Sequence, residues 1–179
     1  LDDLAEPLAD FPFETPAHLS AALAAVLTAC VRTAIRGPCP LTLITANSPG
    51  TGKSLLADVV SLIAHGRTAP RMAPTDDEEE MRKRITTIAL AGLRLVLIDN
   101  IDPKRALGGS ALDAAITAPD DWMDRILGAN RLVSLPIRAV WLATGNNASV
   151  RGDLLRRVVP IRLLSTTEHP EERTGFRHP

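Results

Sequence analysis

The sequence predicts a three-layer α/β domain built on a mostly parallel sheet of about five strands. Three observations carry that prediction. Short apolar runs rich in β-branched residues alternate with longer segments whose apolar residues recur at helical spacing. The 179 residues are 45% hydrophobic, which supplies one sizeable core. That core must be aliphatic, because the chain holds three Phe, two Trp and no Tyr.

Residues 1–14 contain proline and acidic side chains and predict an irregular lead-in. Thr15-Pro16 offers an N-cap followed by proline at the first helical position. Leu19, Leu23, Val26, Leu27, Cys30, Val31, Ala34 and Ile35 then recur at helical spacing until Gly37-Pro38. "LTLITA", 41–46, predicts a buried strand, and "KSLLADVVSLIAH", 53–65, a helix. A short strand is expected within 67–74. Thr75 and Glu78 form a capping-box pattern with acids 76–80 at the positive end of the helix dipole, and Gly92 closes that helix. "LRLVLID", 93–99, is a second buried strand. Ser110 with Asp113 starts a helix that stops at Pro119, and a short helix is expected from Trp122 to Leu127, ended by Gly128. "RAVWLAT", 138–144, and "RVVPIRL", 157–163, are further strands. Pro160 has no N–H for a ladder, which puts the last strand at a sheet edge. The expected layout is a lead-in and helix over 1–37, a core over 38–164 and a polar tail over 165–179 that leads on to a further region. A start at Leu1 rather than Met fits a piece of something longer.

A net charge of −1 argues against a broad nucleic-acid-binding surface, although 17 Arg against three Lys could still form a local patch. Cys30 and Cys39 make no disulfide framework or metal spacing, and the four histidines lack partners spaced for metal or triad chemistry. A reduced, cytoplasmic setting is expected. His18, Arg32 and Arg36 interrupt the Ala- and Leu-rich stretch 16–36, so no membrane span is expected.

Chemistry concentrates in "ANSPGTGKSL", 46–55. A phosphate-binding loop needs a tight strand-to-helix turn, main-chain N–H groups converging on phosphate oxygens, and a lysine reaching the terminal phosphates. Here Gly50 and Gly52 allow the turn, and residues Asn47, Ser48, Pro49, Thr51 and Leu55 complete the cradle. Lys53 would bridge the β- and γ-phosphates, and the Ser54 hydroxyl would bind Mg²⁺. The pattern G-x-x-x-x-G-K-[ST] departs at its first position, where Asn47 stands; the departure is mild, because Asn tolerates the left-handed backbone better than other residues with a Cβ. A dinucleotide loop is excluded, since G-x-G-x-x-G is absent.

"SPGTGKS" resembles the P-loop of the AAA+ branch of P-loop ATPases. The resemblance implies a sheet in the order 5-1-4-3-2, whose edge position for the last strand agrees with Pro160. It also implies ATP and Mg²⁺ as cofactors. "LVLIDN" resembles a Walker B strand, in which Asp99 would hold the Mg²⁺ shell. The glutamate that normally follows is Asn100, which can orient a water but cannot take its proton. Asp102 is either a substitute base or a residue that shapes its own turn. "WLATGNN" resembles a sensor-1 strand, with Asn146 reading the γ-phosphate and Asn147 in reserve. "GDLLRRVVPIRL" resembles the segment that carries an arginine finger, with Arg156 or Arg157 completing a neighbouring subunit's site in a homo-oligomeric ring.

"ANRLVSLPI", between Gly128 and Arg138, stands where helicase-like relatives carry a DNA-contacting hairpin. Arg131 would be such a contact, but the segment lacks an aromatic for base stacking and also reads as a connector. "DNID", "DRILG", "TGNN" and "PEERTGFRHP" together look like the ATPase part of bacterial phage or mobile-element proteins that join primase-type and helicase-type regions. The resemblance therefore implies an ATPase module of a DNA-processing protein, reaching DNA through other domains. The alternatives are a nucleotide-operated switch or scaffold with little hydrolysis, and a small-molecule phosphotransferase that would leave Asn146 and the Arg pair without a role. No N-K-x-D guanine signature is present.

Overall fold

The computed structural model describes residues 2–118, 121–126, 131–167 and 169–178. Its main sheet contains β1 (Leu41–Ala46), β2 (Arg71–Met72), β3 (Leu95–Ile101), β6 (Val140–Asn146) and β7 (Val158–Leu163). A separate antiparallel pair is formed by β4 (Asp121–Arg125) and β5 (Leu132–Pro136). The main sheet runs β2-β3-β6-β1-β7, and every pair within it is parallel. With the β4–β5 insertion set aside, this is the order 5-1-4-3-2 read from β7. Pro160 lies on the β7 edge as its missing donor requires.

Each central strand is apolar on both faces, as a sheet covered on two sides demands. Leu41, Leu43, Val96, Ile98, Trp141 and Ala143 face one core, together with α4 (Glu78–Leu90), α5 (Ser110–Thr117) and Trp122. Ile44, Ala46, Leu95, Leu97, Val140 and Leu142 face the other, packed on α2 (Pro16–Val31) and α3 (Lys53–His65).

Several local expectations change. The lead-in is partly ordered, with α1 (Asp2–Ala5), a 3-10 turn (Glu6–Leu8) and an antiparallel bridge from Phe13 to Leu163. Glu14 N–H donates to the Arg162 carbonyl (3.0 Å) and Leu164 N–H to that of Pro12 (2.8 Å), so the lead-in blunts the open edge of β7. Helix α2 stops at Val31 because the buried Arg32 donates to the Ile35 and Gly37 carbonyls (3.0 and 3.1 Å) and turns the chain away.

The N-cap of α4 is Asp77, whose carboxylate accepts from the N–H groups of Glu79 and Glu80 (2.9 and 3.1 Å), rather than Thr75 in a box with Glu78. Glu78 instead caps the start of α5, accepting from the Ser110 hydroxyl and Ala111 N–H, both at 2.9 Å. The expected Ser110–Asp113 cap is thus replaced from another helix, with Gly109 as the N-cap residue.

Trp122 begins no helix. It lies in β4, paired with Leu135, and its indole donates to Thr86 Oγ1 at 2.9 Å. Trp122 and Asp124 point inward while Asp121, Met123 and Arg125 point out, a period of two that five residues are too few to reveal. Asp124 is buried and answered by Arg82 (2.5 Å) and Thr86 (3.2 Å). The expected terminators Pro119 and Gly128, and Leu127, lie outside the described residues.

Candidate functional site

The site is built where β1, β3 and β6 reach their carboxyl ends. Parallel pairing sets Ala46 beside Asn146, and β3 flanks β6 on its other side. Residues 47–52 then turn the chain from β1 into α3, with Gly50 and Gly52 at φ of +73° and +94°. A side chain at either glycine would be strained, and a Cβ at Gly50 would also stand 2.5 Å from Glu171 Oε2. Thr51 Oγ1 donates to the Ser48 carbonyl at 2.7 Å and closes the loop on itself. Among the described residues no side chain caps the N-terminus of α3, which leaves its first N–H groups without a side-chain partner.

Asn47 makes no use of the left-handed backbone that Asn tolerates; the described non-glycine residues that adopt it are Asn100 and Asn147. Its amide is a two-pronged clamp, donating to the Ser165 carbonyl (2.9 Å) and accepting from Ser165 N–H (3.0 Å). This ties the start of the loop to the segment that follows β7.

Lys53, the first residue of α3, donates from Nζ to Asn146 Oδ1 at 2.6 Å and to the Ser48 carbonyl at 3.3 Å. Burial pushes its pKa down and the nearby Asp99 carboxylate partly opposes this. Ser54 donates its hydroxyl to Asp99 Oδ1 at 2.7 Å. Thr144, buried on β6, donates to that oxygen at 2.5 Å and accepts the Asn100 N–H at 3.0 Å. Arg71, on β2, holds Asp99 Oδ2 at 3.0 Å. Burial alone would raise the Asp99 pKa, but the hydrogen bonds from Thr144 and Ser54, with the Arg71 guanidinium, outweigh it and hold the carboxyl below its ordinary range. The second guanidinium nitrogen of Arg71 pairs with Asp58, a buried carboxylate on α3 that also accepts the Ala69 N–H at 3.1 Å.

Asn100 stands at a break in the β3–β6 register and has φ +66°. The bulge is the physical reason for Asn here, since Asn enters the left-handed region more readily than Glu does. Asp102 accepts the Lys104 N–H on its side chain (2.9 Å) and the Arg105 N–H on its carbonyl (2.9 Å), which shapes the turn after β3. Asn147 has φ +47° and donates its N–H to the Ala46 carbonyl at 3.2 Å.

Arg156 and Arg157 are not brought to Lys53. Arg157 accepts the Leu41 N–H on its carbonyl (2.9 Å), at the amino end of β1, roughly 20 Å of strand from the loop. Both side chains pair with Asp153, Arg156 at 2.7 Å and Arg157 at 3.6 Å, and are 78% and 32% exposed. Arg131 is exposed beside the start of β5, with its carbonyl accepting the Ile126 N–H.

Sequence reasoning missed Thr144, Arg71 and Asp58. Asp58 carried a usable signal, as the lone acid in the apolar helical run 53–65; a buried charge must find a partner. It also missed a cavity of about 570 Å³ beside Gly50 and Gly52. Leu55 and Val59 of α3 form its floor, and Phe11 and Phe176 contribute walls from the lead-in and the tail. Arg173 stacks 4.5 Å above the Phe176 ring and donates to the Asp10 carbonyl, while His178 N–H donates to Asp10 Oδ2 at 2.8 Å. The two segments close over one side of the loop.

Hard oxygen donors, Ser54 Oγ and Asp99, fit a Mg²⁺ ion, and the glycine turn with the uncapped α3 terminus fits a phosphate chain. Among the described residues no helix is long and apolar enough to cross a membrane.

No protein family and no curated protein matches the chain by sequence. Two solved structures share its architecture. The apo C-terminal region of NrS-1 aligns with a TM-score of 0.59 at 17% identity, over 96% of this chain and 40% of that one. The JCV helicase aligns with a TM-score of 0.53 at 11% identity, over 91% of this chain and 44% of that one. The chain spans less than half the length of either. The protein therefore shares the fold of these two structures, a five-stranded parallel sheet covered by helices on both faces.

Proposed function

We propose that this chain is the ATP-binding module of a helicase-like, DNA-processing AAA+ ATPase that works in the cytoplasm and hydrolyses ATP mainly as an oligomer. The observation that carries the reading is the convergence of two pairs, Lys53–Asn146 and Ser54–Asp99, at the carboxyl end of the sheet beside the glycine turn. The main-chain amides of 48–54 bind the triphosphate, and the Lys53 ammonium neutralises its outer phosphates. Ser54 and Asp99 would hold a Mg²⁺ ion, which would supply charge neutralisation on the bound phosphates. Asn146, freed from Lys53, orients the attacking water. The apolar cavity between Leu55, Phe11 and Phe176 takes the base, consistent with its position beside Gly52.

Arg156 and Arg157 serve a neighbouring subunit, with Arg157 as the finger. Their position at the far end of β1 from the loop supports action in trans. Fingers of this kind contribute ~10³–10⁵-fold in related phosphoryl-transfer systems. Base assistance, worth ~10²–10⁴-fold, has no carboxylate at position 100, and Asp102 serves its turn. Isolated subunits therefore bind nucleotide and turn it over slowly. The affinity for mobile-element replication proteins, and for DNA through further domains, rests on the resemblance in "DNID", "TGNN" and "PEERTGFRHP".

The test is turnover of the full-length protein with single-stranded DNA, beside Lys53→Ala. Wild-type turnover that vanishes in the variant is expected; undiminished turnover in Lys53→Ala would end the reading. A second reading, a nucleotide switch with little hydrolysis, is favoured by Asn100 in its left-handed bulge. It predicts that DNA leaves turnover at its basal level even when the protein is assembled.

A further inference from the structure

Arg71 has no role in the proposed binding and hydrolysis of ATP, yet it reaches the carboxylate proposed to hold the metal. Its guanidinium spans Asp58 on α3 and Asp99 on β3, with 3.0 Å to Asp99 Oδ2. Asp58 is buried, has its other oxygen on the Ala69 N–H, and is thereby fixed in place. The guanidinium is consequently anchored at one end and offered to Asp99 at the other. Asp99 is divided among three partners: Oδ1 serves Ser54 and Thr144, and Oδ2 serves Arg71.

The charges around Asp99 cancel. Asp58 and Asp99 are matched by Arg71 and by Lys53, whose ammonium feels the Asp99 carboxylate. Among the described residues no cluster of three or more His, Cys, Asp or Glu side chains could hold a metal by itself. A free divalent ion entering between Ser54 and Asp99 would meet one carboxylate oxygen already occupied and a fixed positive charge beside it. A Mg²⁺ ion that arrives with a triphosphate brings most of its own oxygen ligands and a surplus of negative charge, and needs little from the protein.

We infer that Arg71 is a positioning residue and resident counter-ion for Asp99, which excludes free divalent ions so that the metal is accepted only together with the triphosphate. The inference rests on the nucleotide-site reading above. Arg71 orients Oδ1 toward Ser54 and keeps the empty cradle from collecting metal that would obstruct Lys53.

The experiment is a Mn²⁺ titration of the full-length protein followed by electron paramagnetic resonance, without nucleotide and with a non-hydrolysable ATP analogue. Wild type, Arg71→Lys, Arg71→Gln and Arg71→Met are compared, each checked for folding by circular dichroism. Without nucleotide, wild type and Arg71→Lys are expected to leave Mn²⁺ free. Arg71→Gln and Arg71→Met, which remove the charge, are expected to bind it at least about tenfold more tightly. Adding Asp99→Asn to either should abolish the gain. Nucleotide-free binding by wild type that Asp99→Asn removes would overturn the inference, as would neutral variants no tighter than wild type. The analogue arm separates the two claims. Failure of every protein to bind the analogue defeats the nucleotide reading, whereas analogue binding combined with equal free-ion affinities defeats only the role of Arg71.

Discussion

The two ends of the sheet hold their polar side chains in opposite ways. At the carboxyl end each functional group is fixed by a residue from a different element: Lys53 of α3 by Asn146 of β6, and Asp99 of β3 by Ser54, Thr144 and Arg71. At the amino end Arg156 and Arg157 form salt bridges, among the described residues, with Asp153, three and four residues away in their own turn. Cross-element bonding preorganises a site within one chain. Local bonding on an exposed turn holds side chains loosely until another surface takes them, since such pairs contribute little to stability. The difference is what the proposed division of labour requires, with the first end acting within one chain and the second in trans.

That contrast can be broken in several places. The largest effect is expected from Arg157→Ala, which should lower turnover of the assembled protein by ~10³-fold or more while leaving nucleotide affinity of a single chain unchanged. Steady-state kinetics beside equilibrium binding would check it, and a parallel loss of affinity would place Arg157 in its own chain's site. Next comes Lys53→Ala, expected to weaken triphosphate binding by roughly 10–100-fold through loss of a charge-assisted contact, as followed with a fluorescent analogue. Asn100→Glu places a side chain that disfavours the left-handed region at φ +66° and should lose about 1 kcal/mol in denaturant unfolding, with Asn100→Gly close to neutral. Equal stabilities of the two would remove the bulge as the reason for Asn.

Acid offers a smaller test of the carboxyl end. Asp99 has a folded pKa held below its unfolded value, so its stabilising contribution is present above the ordinary aspartate range and is lost as pH falls through the folded value. The stability difference between wild type and Asp99→Asn should therefore shrink as pH is lowered through that window. The smallest effect belongs to Asp153→Asn, which should leave the melting temperature unchanged because the residue is exposed and pairs only with its own turn.

What could be read from the sequence follows the same division between local and distant causes. The loop, its lysine and the flanking strand and helix form one continuous stretch from Leu41 to His65, and local patterning was sufficient to place them. The edge position of β7 followed from one proline. The hairpin β4–β5 did not follow, because Trp122 and Asp124 alternate inward over too short a run and are held by Thr86 and Arg82 of α4. Glu78 matched a local capping pattern yet caps a helix some thirty residues later. Asn47 has a backbone reason in the motif and a different one in the fold, a clamp on Ser165 that only the ordering of the segment after β7 creates. Arg71 and Thr144 are joined to Asp99 across the sheet, and no spacing in the chain announces such a bond.

The central claim is that the amides of 48–54 and the Lys53 ammonium form a cradle for a triphosphate. Isothermal calorimetry of folded protein with magnesium-loaded ATP tests it most directly. The account predicts a saturable heat in wild type that is strongly weakened in Lys53→Ala. No heat with any purine triphosphate, or the same affinity in both proteins, would contradict it.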